Sequence, residues 1–258
     1  MITCNLQGGL GNQMFQIAAA SALAWKNKDE PIFDLERHDL PQQGRKAINY
    51  LDNIFRNVVF KENTSYSEIY KEPHFSYKEI TYTKNMCLEG YFQSEKYFKD
   101  YEKEIKKMFK PSLQTKQYIE EKYGKDLNKK ATSVHIRRGD YLTIPDFNPL
   151  CTPKYYAEAI KKLPKTDIYM IFSDDKEWCK NIFKKGSFKI IEEEDYIDLY
   201  IMSMCKNNII ANSSFSWWGA WLNNNKDKKI VAPKNWFHGS KIGLYNTQDL
   251  IPDNWLLL

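Results

Sequence analysis

Cysteine and histidine are both scarce in this chain of 258 residues, and neither falls in a reactive pattern. Cys4, Cys87, Cys151, Cys179 and Cys205 make an odd set without a CxxC pair. That argues against a disulfide framework or a cysteine zinc site and fits reduced thiols in a cytoplasmic protein. Of His38, His74, His135 and His238 only His135 lies in a polar cluster, and no Ser-His-Asp or Cys-His spacing stands out. Carboxylates do not gather at the spacing of a two-metal or Asp-x-Asp site, so no metal is expected. No apolar run approaches the ~20 residues that cross a bilayer. The opening Met1–Leu6 lacks the basic and long apolar regions of a secretory leader, so the sequons at Asn63 and Asn212 carry no meaning in a cytoplasmic chain. Internal repeats and low-complexity linkers are absent.

What is present is a globular composition: 42% hydrophobic, 28% charged and 15% aromatic. The net charge of +5 is carried mostly by lysine. It permits anionic partners, from nucleotide phosphates to the inner membrane face, without choosing among them. The lysine patches at Lys103–Lys110 and Lys226–Lys229 alternate with acids or asparagine and read as solvated surfaces. Without interleaved aromatics they do not predict a nucleic-acid partner.

Apolar runs and turn signals alternate. Met1–Leu6 reads as a strand, Gln7–Gly11 as a tight loop, and the alanine-rich Asn12–Lys28 as a helix, with a further strand at Pro31–Leu35. Residues 41–86 have weak periodicity and predict short, irregular elements. A strand at Leu88–Phe92 and helices over Tyr97–Lys110 and Gln114–Tyr123 follow. Polar Gly124–Lys130 is the candidate boundary, giving domains 1–127 and 128–258. Strands at Ala131–Ile136, Asp167–Phe172, Phe188–Ile191, Asn208–Ala211 and Ile230–Ala232 then alternate with helices at Pro153–Leu163, from Ser173, at Tyr196–Cys205 and Ser213–Asn223. The rhythm predicts an α/β chain with a parallel, Rossmann-like sheet whose ligands sit beyond the strand C-termini.

The polar clusters fall where that rule puts a site. His135-Ile136-Arg137-Arg138-Gly139-Asp140 runs off a strand; arginine forks suit phosphate oxygens and glycine permits close approach. Pairing of an arginine with Asp140 accounts equally well for this segment taken alone. Gln7-Gly8-Gly9-Leu10-Gly11-Asn12-Gln13 departs from the G-x-G-x-x-G spacing, so no nicotinamide or flavin is indicated. It puts amides at a helix N-terminus, where an anion or sugar hydroxyl is welcome, although an ordinary turn capped by Asn12 also explains it. Ser173-Asp174-Asp175 supplies one carboxylate for a helix dipole and one for ribose or a base edge. In Asn212-Ser213-Ser214-Phe215-Ser216-Trp217-Trp218 the hydroxyls can cap a helix or bind phosphate, and the tryptophans read as core.

Together, in this order, the segments Gln7–Gln16, His135–Tyr141, Phe172–Asp175 and Asn212–Trp221 resemble glycosyltransferase family 11, the α-1,2-fucosyltransferases. The resemblance implies a GT-B-like fold, two Rossmann-like α/β domains with the active site in the cleft between them. It implies GDP-β-L-fucose as co-substrate, a galactose-containing glycan as acceptor, inversion at the fucosyl carbon, and no metal or other cofactor. Arg137 and Arg138 would hold the diphosphate as it leaves, and His135 and Asp174 would contact the nucleoside, with Ser173 beside them. Asn212, Ser213, Ser214, Phe215 and Ser216 would line the phosphates, while Gly9, Gly11 and Asn12 would face the fucosyl and acceptor side. Asp140 and Asp146 are both open as general base, and Asp140 serves equally as a group orienting the arginines. The expected product is a bacterial O-antigen, capsule or H-antigen-like glycan. A transferase using another GDP-sugar and a non-catalytic nucleotide or sugar binder are the alternatives. Acceptor contacts are expected from 36–86 and 143–150.

Overall fold

The computed structural model describes residues 1–35, 45–143, 146–184, 186–238 and 245–258. The chain forms two compact units, Met1–Lys110 with Tyr245–Pro252, and Pro111–Leu244 with Asp253–Leu258. The sequence placed the division at 127/128; the structure places it at 110/111. The intervening helix, which we label α3 (Leu113–Leu127), is tied into the second unit. The Tyr123 hydroxyl donates to Glu193 at 2.6 Å, Lys122 pairs with the same carboxylate, and Asp126 pairs with Lys189 at 2.6 Å. Gly124 lies within this helix, so the polar stretch that suggested a boundary is the end of a helix inside one unit.

In the first unit, β1 (Ile2–Cys4), β2 (Glu68–Lys71) and β3 (Met86–Glu89) form a parallel sheet in the order β1-β3-β2. Helix α1 (Leu10–Lys26) follows β1 and buries nearly every side chain of its first four turns. A run of Ala18, Ala19, Ala20, Ala22 and Ala24 makes such all-round burial sterically possible while keeping high helix propensity. The strand expected at 31–35 reduces to two single-residue bridges, Ile2 to Pro31 and Phe33 to Phe60. Pro31 has no N–H to give a ladder. β2 lies in the stretch without periodicity. The helix expected over Tyr97–Lys110 is confined to α2 (Glu102–Met108), with two tight turns before it.

The second unit holds six parallel strands: β4 (Ala131–Ile136), β5 (Ile168–Ser173), β6 (Phe188–Ile190), β7 (Asn207–Ile209), β8 (Ile230–Ala232) and β9 (Leu256–Leu257). Their spatial order is β6-β5-β4-β7-β8-β9. Counted within this unit, that is the 3-2-1-4-5-6 order of a doubly wound Rossmann sheet. The connecting helices are α4 (Pro153–Lys162), α5 (Lys176–Ile182), α6 (Asp195–Met204) and α7 (Ser214–Trp221). Thr152 caps α4 by accepting from Tyr155 N–H, with Pro153 in the first turn, as its sequence predicts. Val134, Ile136, Ile171, Ile209 and Val231 of the sheet pack with Tyr156 and Ala159 of α4 and Cys179 of α5. The two tryptophans expected in the core, Trp217 and Trp218, are fully buried. A buried amide network fixes this half: Asn208 donates to Ser133 Oγ (2.7 Å) and Met202 O (2.8 Å) and accepts from Asn223 (2.8 Å). No helix among the described residues is long and apolar enough to cross a membrane.

Candidate active site

In a 3-2-1-4-5-6 sheet the chain winds outward in both directions from the first and fourth strands. The loops leaving their C-terminal ends diverge and open a crevice. Here those strands are β4 and β7, paired in register from Thr132–Asn207 to Val134–Ile209. The loop after β4 is Arg137–Asp140, and the loop after β7 leads through Asn212 and Ser213 into α7. On the other side β4 pairs with β5, with Ile136 opposite Ser173, which brings Asp174 and Asp175 alongside the arginines.

Three carboxylates and two guanidiniums interlock there. Arg137 Nη2 lies 2.7 Å from Asp140 Oδ1 and Nη1 lies 3.0 Å from Asp174 Oδ2. The backbone N–H of Arg138 donates to Asp174 Oδ1 at 2.9 Å, so Asp174 ties one loop to the other. Arg138 Nε donates to Asp175 Oδ2 at 2.9 Å, and its guanidinium lies 4.3 Å over the Trp178 ring. Asp175 also caps α5 by accepting from Trp178 N–H at 3.0 Å. The Arg138 hydrogen bond holds the Asp175 carboxyl below its usual range. Gly139 leaves room for Asp174: a Cβ there would stand 2.6 Å from Asp174 Oδ2 and force that carboxylate to shift.

His135 is buried, its ring 5.5 Å from Phe215. Among the described residues its Nδ1 has no hydrogen-bond partner. Burial pulls its pKa down to about 3, against the pull of Asp174 and with the help of Arg137, so the imidazole is neutral at physiological pH. Tyr141 donates to Asn212 O at 2.7 Å and sits under Arg137, 5.5 Å from its guanidinium. Asn212 donates to Pro149 O and Trp236 O, both at 3.0 Å, and so gathers three segments. Ser173 Oγ accepts from Asp175 N–H at 3.0 Å. Ser213 and Ser216 are buried, the Ser216 hydroxyl donating to Ser213 O at 3.3 Å, while Ser214 and Phe215 are half-buried.

Of the residues expected from sequence, His135, Arg137, Arg138, Asp140, Ser173, Asp174, Asn212, Ser213, Ser214, Phe215 and Ser216 therefore lie along one edge of one sheet. Gly9, Gly11 and Asn12 belong to the first unit, at the C-terminal edge of its own sheet. There Gly9, not Asn12, precedes the helix and caps it without a side chain. Asn12 accepts from Gln93 at 2.8 Å, and Gly8 adopts a left-handed φ of 74° against it. Asp146 is described but joins no ion pair among the described residues, whereas residues 36–44 and 144–145 of the expected acceptor stretches lie outside them. Among the described residues no three His, Cys, Asp or Glu side chains converge on a possible metal position.

Two further features of this unit were not legible in the sequence. Trp178 reads as an ordinary helix residue until its ring is seen under Arg138. Asp198 sits inside the apolar run of α6, beyond the C-terminal end of β6, and is buried with Oδ1 unpartnered among the described residues. Burial, with Glu193 and Asp195 adding and Lys176 opposing, pushes its pKa up to about 8. A lone acid within Ile197–Met202 was the one available signal.

The profile of glycosyl transferase family 11 matches residues 1–257. The O-antigen biosynthesis glycosyltransferase WbnK of Escherichia coli is 31% identical over 100% of both chains. An alpha-1,2-colitosyltransferase of Escherichia coli is 32% identical over 99% of this chain and 98% of its own. Among solved structures, fucosyltransferase NodZ from Bradyrhizobium superposes with a TM-score of 0.55 at 13% identity, covering 84% of this chain and 92% of that one. That last likeness is one of fold.

Proposed function

This chain belongs to glycosyltransferase family 11, and from that premise we propose that it moves L-fucose from GDP-β-L-fucose to a galactose hydroxyl of a glycan. The transfer inverts the fucosyl carbon, forms an α-1,2 linkage and needs no metal ion. The observation that carries this reading is the Arg137–Arg138 pair at the switch point of a Rossmann sheet.

As the bond from the sugar carbon to the β-phosphate oxygen breaks, negative charge grows on that oxygen. Guanidiniums already fixed beside it stabilise that charge more than they stabilise the intact donor, which is what accelerates the step. Arginine suits the task because its planar fork meets two phosphate oxygens at once and stays charged. Asp174 and Asp175 hold the two forks in place before the donor arrives. Neutral His135, with an open Nδ1, suits a hydroxyl or neutral base atom of the nucleoside rather than a phosphate. The acceptor hydroxyl attacks from the opposite face and must lose a proton. Asp140 lies against Arg137 in this structure, which favours a role in orienting that arginine over one in taking the proton.

The likeness to WbnK, an O-antigen biosynthesis glycosyltransferase, supports an O-antigen-type acceptor. A second reading is favoured by the colitosyltransferase: colitose is fucose without its 3-hydroxyl, so a GDP-linked 3-deoxy sugar is the competing donor. Incubating the protein with GDP-fucose, GDP-colitose or GDP-mannose, a panel of β-galactosides and EDTA, and following GDP release and product linkage, separates the readings. We expect 2-O-fucosyl galactose with EDTA present. Turnover with GDP-colitose alone selects the second reading. Silence with every donor while the protein is folded rejects both.

A further inference from the structure

Arg137 and Arg138 are not held alike. Arg138 makes an aligned hydrogen bond to Asp175 through Nε and rests on Trp178, which leaves its two terminal nitrogens without an ion pair among the described residues. Arg137 has both terminal nitrogens against carboxylates, Nη1 on Asp174 and Nη2 on Asp140. The Asp140 contact is close, at 2.7 Å, yet Oδ1 receives no aligned hydrogen bond there. It is a Coulombic contact only. Asp174 cannot leave easily, because its other oxygen accepts from Arg138 N–H. Asp140 has no such second tie among the described residues: it opens the short turn Asp140–Leu142, and its side chain is 30% exposed.

We propose that Asp140 is a displaceable counter-ion that occupies the phosphate-binding arm of Arg137 when no nucleotide is present and competes with the diphosphate for it. Two positive charges face three negative ones in this cluster, so an incoming diphosphate meets a net repulsive site unless one carboxylate moves aside. Asp140 moves aside as the phosphate oxygens take its place on Nη2, and returns when the nucleoside diphosphate leaves. The device keeps Arg137 oriented without an excess of unpaired positive charge and limits how long the spent nucleotide is held. Substrate binding is weakened in the same proportion, which leaves room for tighter interaction in the transition state. Asp140 is thus a positioning residue that acts through Arg137.

The inference rests on the proposed nucleotide site, and the test separates the two. GDP binding is measured calorimetrically on the full chain and on Asp140→Asn and Asp140→Glu, together with kcat and KM for GDP-fucose. Asparagine keeps the shape and removes the charge. Asp140→Asn is expected to bind GDP about two- to fivefold more tightly, the worth of a partly exposed ion pair. Its KM should fall with it, and the difference from wild type should shrink as salt is raised. Asp140→Glu should restore the weaker binding. Equal or weaker GDP binding by a folded Asp140→Asn overturns the inference and leaves the nucleotide site standing. If wild type and both variants, all folded, fail to bind GDP at millimolar concentration, the proposed function falls and this inference with it.

Discussion

At the scale of single residues the site is held by contacts that tolerate almost no displacement. Gly139→Ala would drive a methyl group to 2.6 Å from Asp174 Oδ2, the atom on Arg137. The prediction is a loss of turnover on the order of a hundredfold, the cost of misplacing a catalytic group by about 1 Å, with the melting transition nearly unmoved. Paired circular dichroism and GDP-release assays check both halves. Asp198 and His135 predict the pH dependence of stability. With its folded pKa raised to about 8, Asp198 binds a proton that the unfolded chain has lost. It therefore costs stability progressively as pH rises from near 4 through 8. His135, lowered to about 3, costs stability as pH falls from near 6.5 toward 3, where the unfolded chain is protonated and the native one is not. Asp198→Asn should raise the unfolding midpoint relative to wild type more at pH 8 than at pH 5. A difference independent of pH would show that the carboxyl is not neutral in the native protein.

At the scale of elements, what could be read from sequence was what local chemistry dictates. β5 and β8 are short, largely apolar runs and β4 is a short stretch ending before a polar cluster, so β4 and β8 were placed to the residue and β5 to within one at each end. Helix α4 announced itself through Thr152 and Pro153. β9 has two residues, both exposed, and no pattern to betray it; it exists because β8 offers a parallel edge. The same is true of β2, whose exposed Glu68, Ile69 and Lys71 alternate with nothing. Motif positions at strand ends were legible, because the α/β rhythm alone places them. Their mutual bonds were not: Asp174 was expected at the nucleoside, and its oxygens lie on Arg137 and on Arg138 N–H. The amide network joining β7, β4, α6 and the end of α7 was equally invisible. Asn208→Ala strands Ser133, Met202 O and Asn223 together. It should destabilise the second unit by roughly 3 kcal/mol. Six of the seven tryptophans lie in that unit, so a urea titration followed by tryptophan fluorescence reads it directly.

At the scale of the whole molecule, the division into units depends on contacts distant in sequence, and this is why the boundary was misplaced. Residues Tyr245–Pro252 return to the first unit: Asp249 accepts from Tyr77 N–H at 3.0 Å, pairs with Lys96, and its carbonyl takes the Ser94 hydroxyl at 2.6 Å. No composition shift marks that crossing. The second unit, by contrast, carries the Rossmann strand order complete, and with it the arginine pair on which the account turns. The most direct test is Arg137→Lys, measured as kcat for GDP-fucose turnover beside GDP affinity and folding. Lysine keeps the charge and loses the fork, so the account predicts a kcat lower by about a hundredfold or more in a folded protein. A folded Arg137→Lys that turns over at close to the wild-type rate would contradict it.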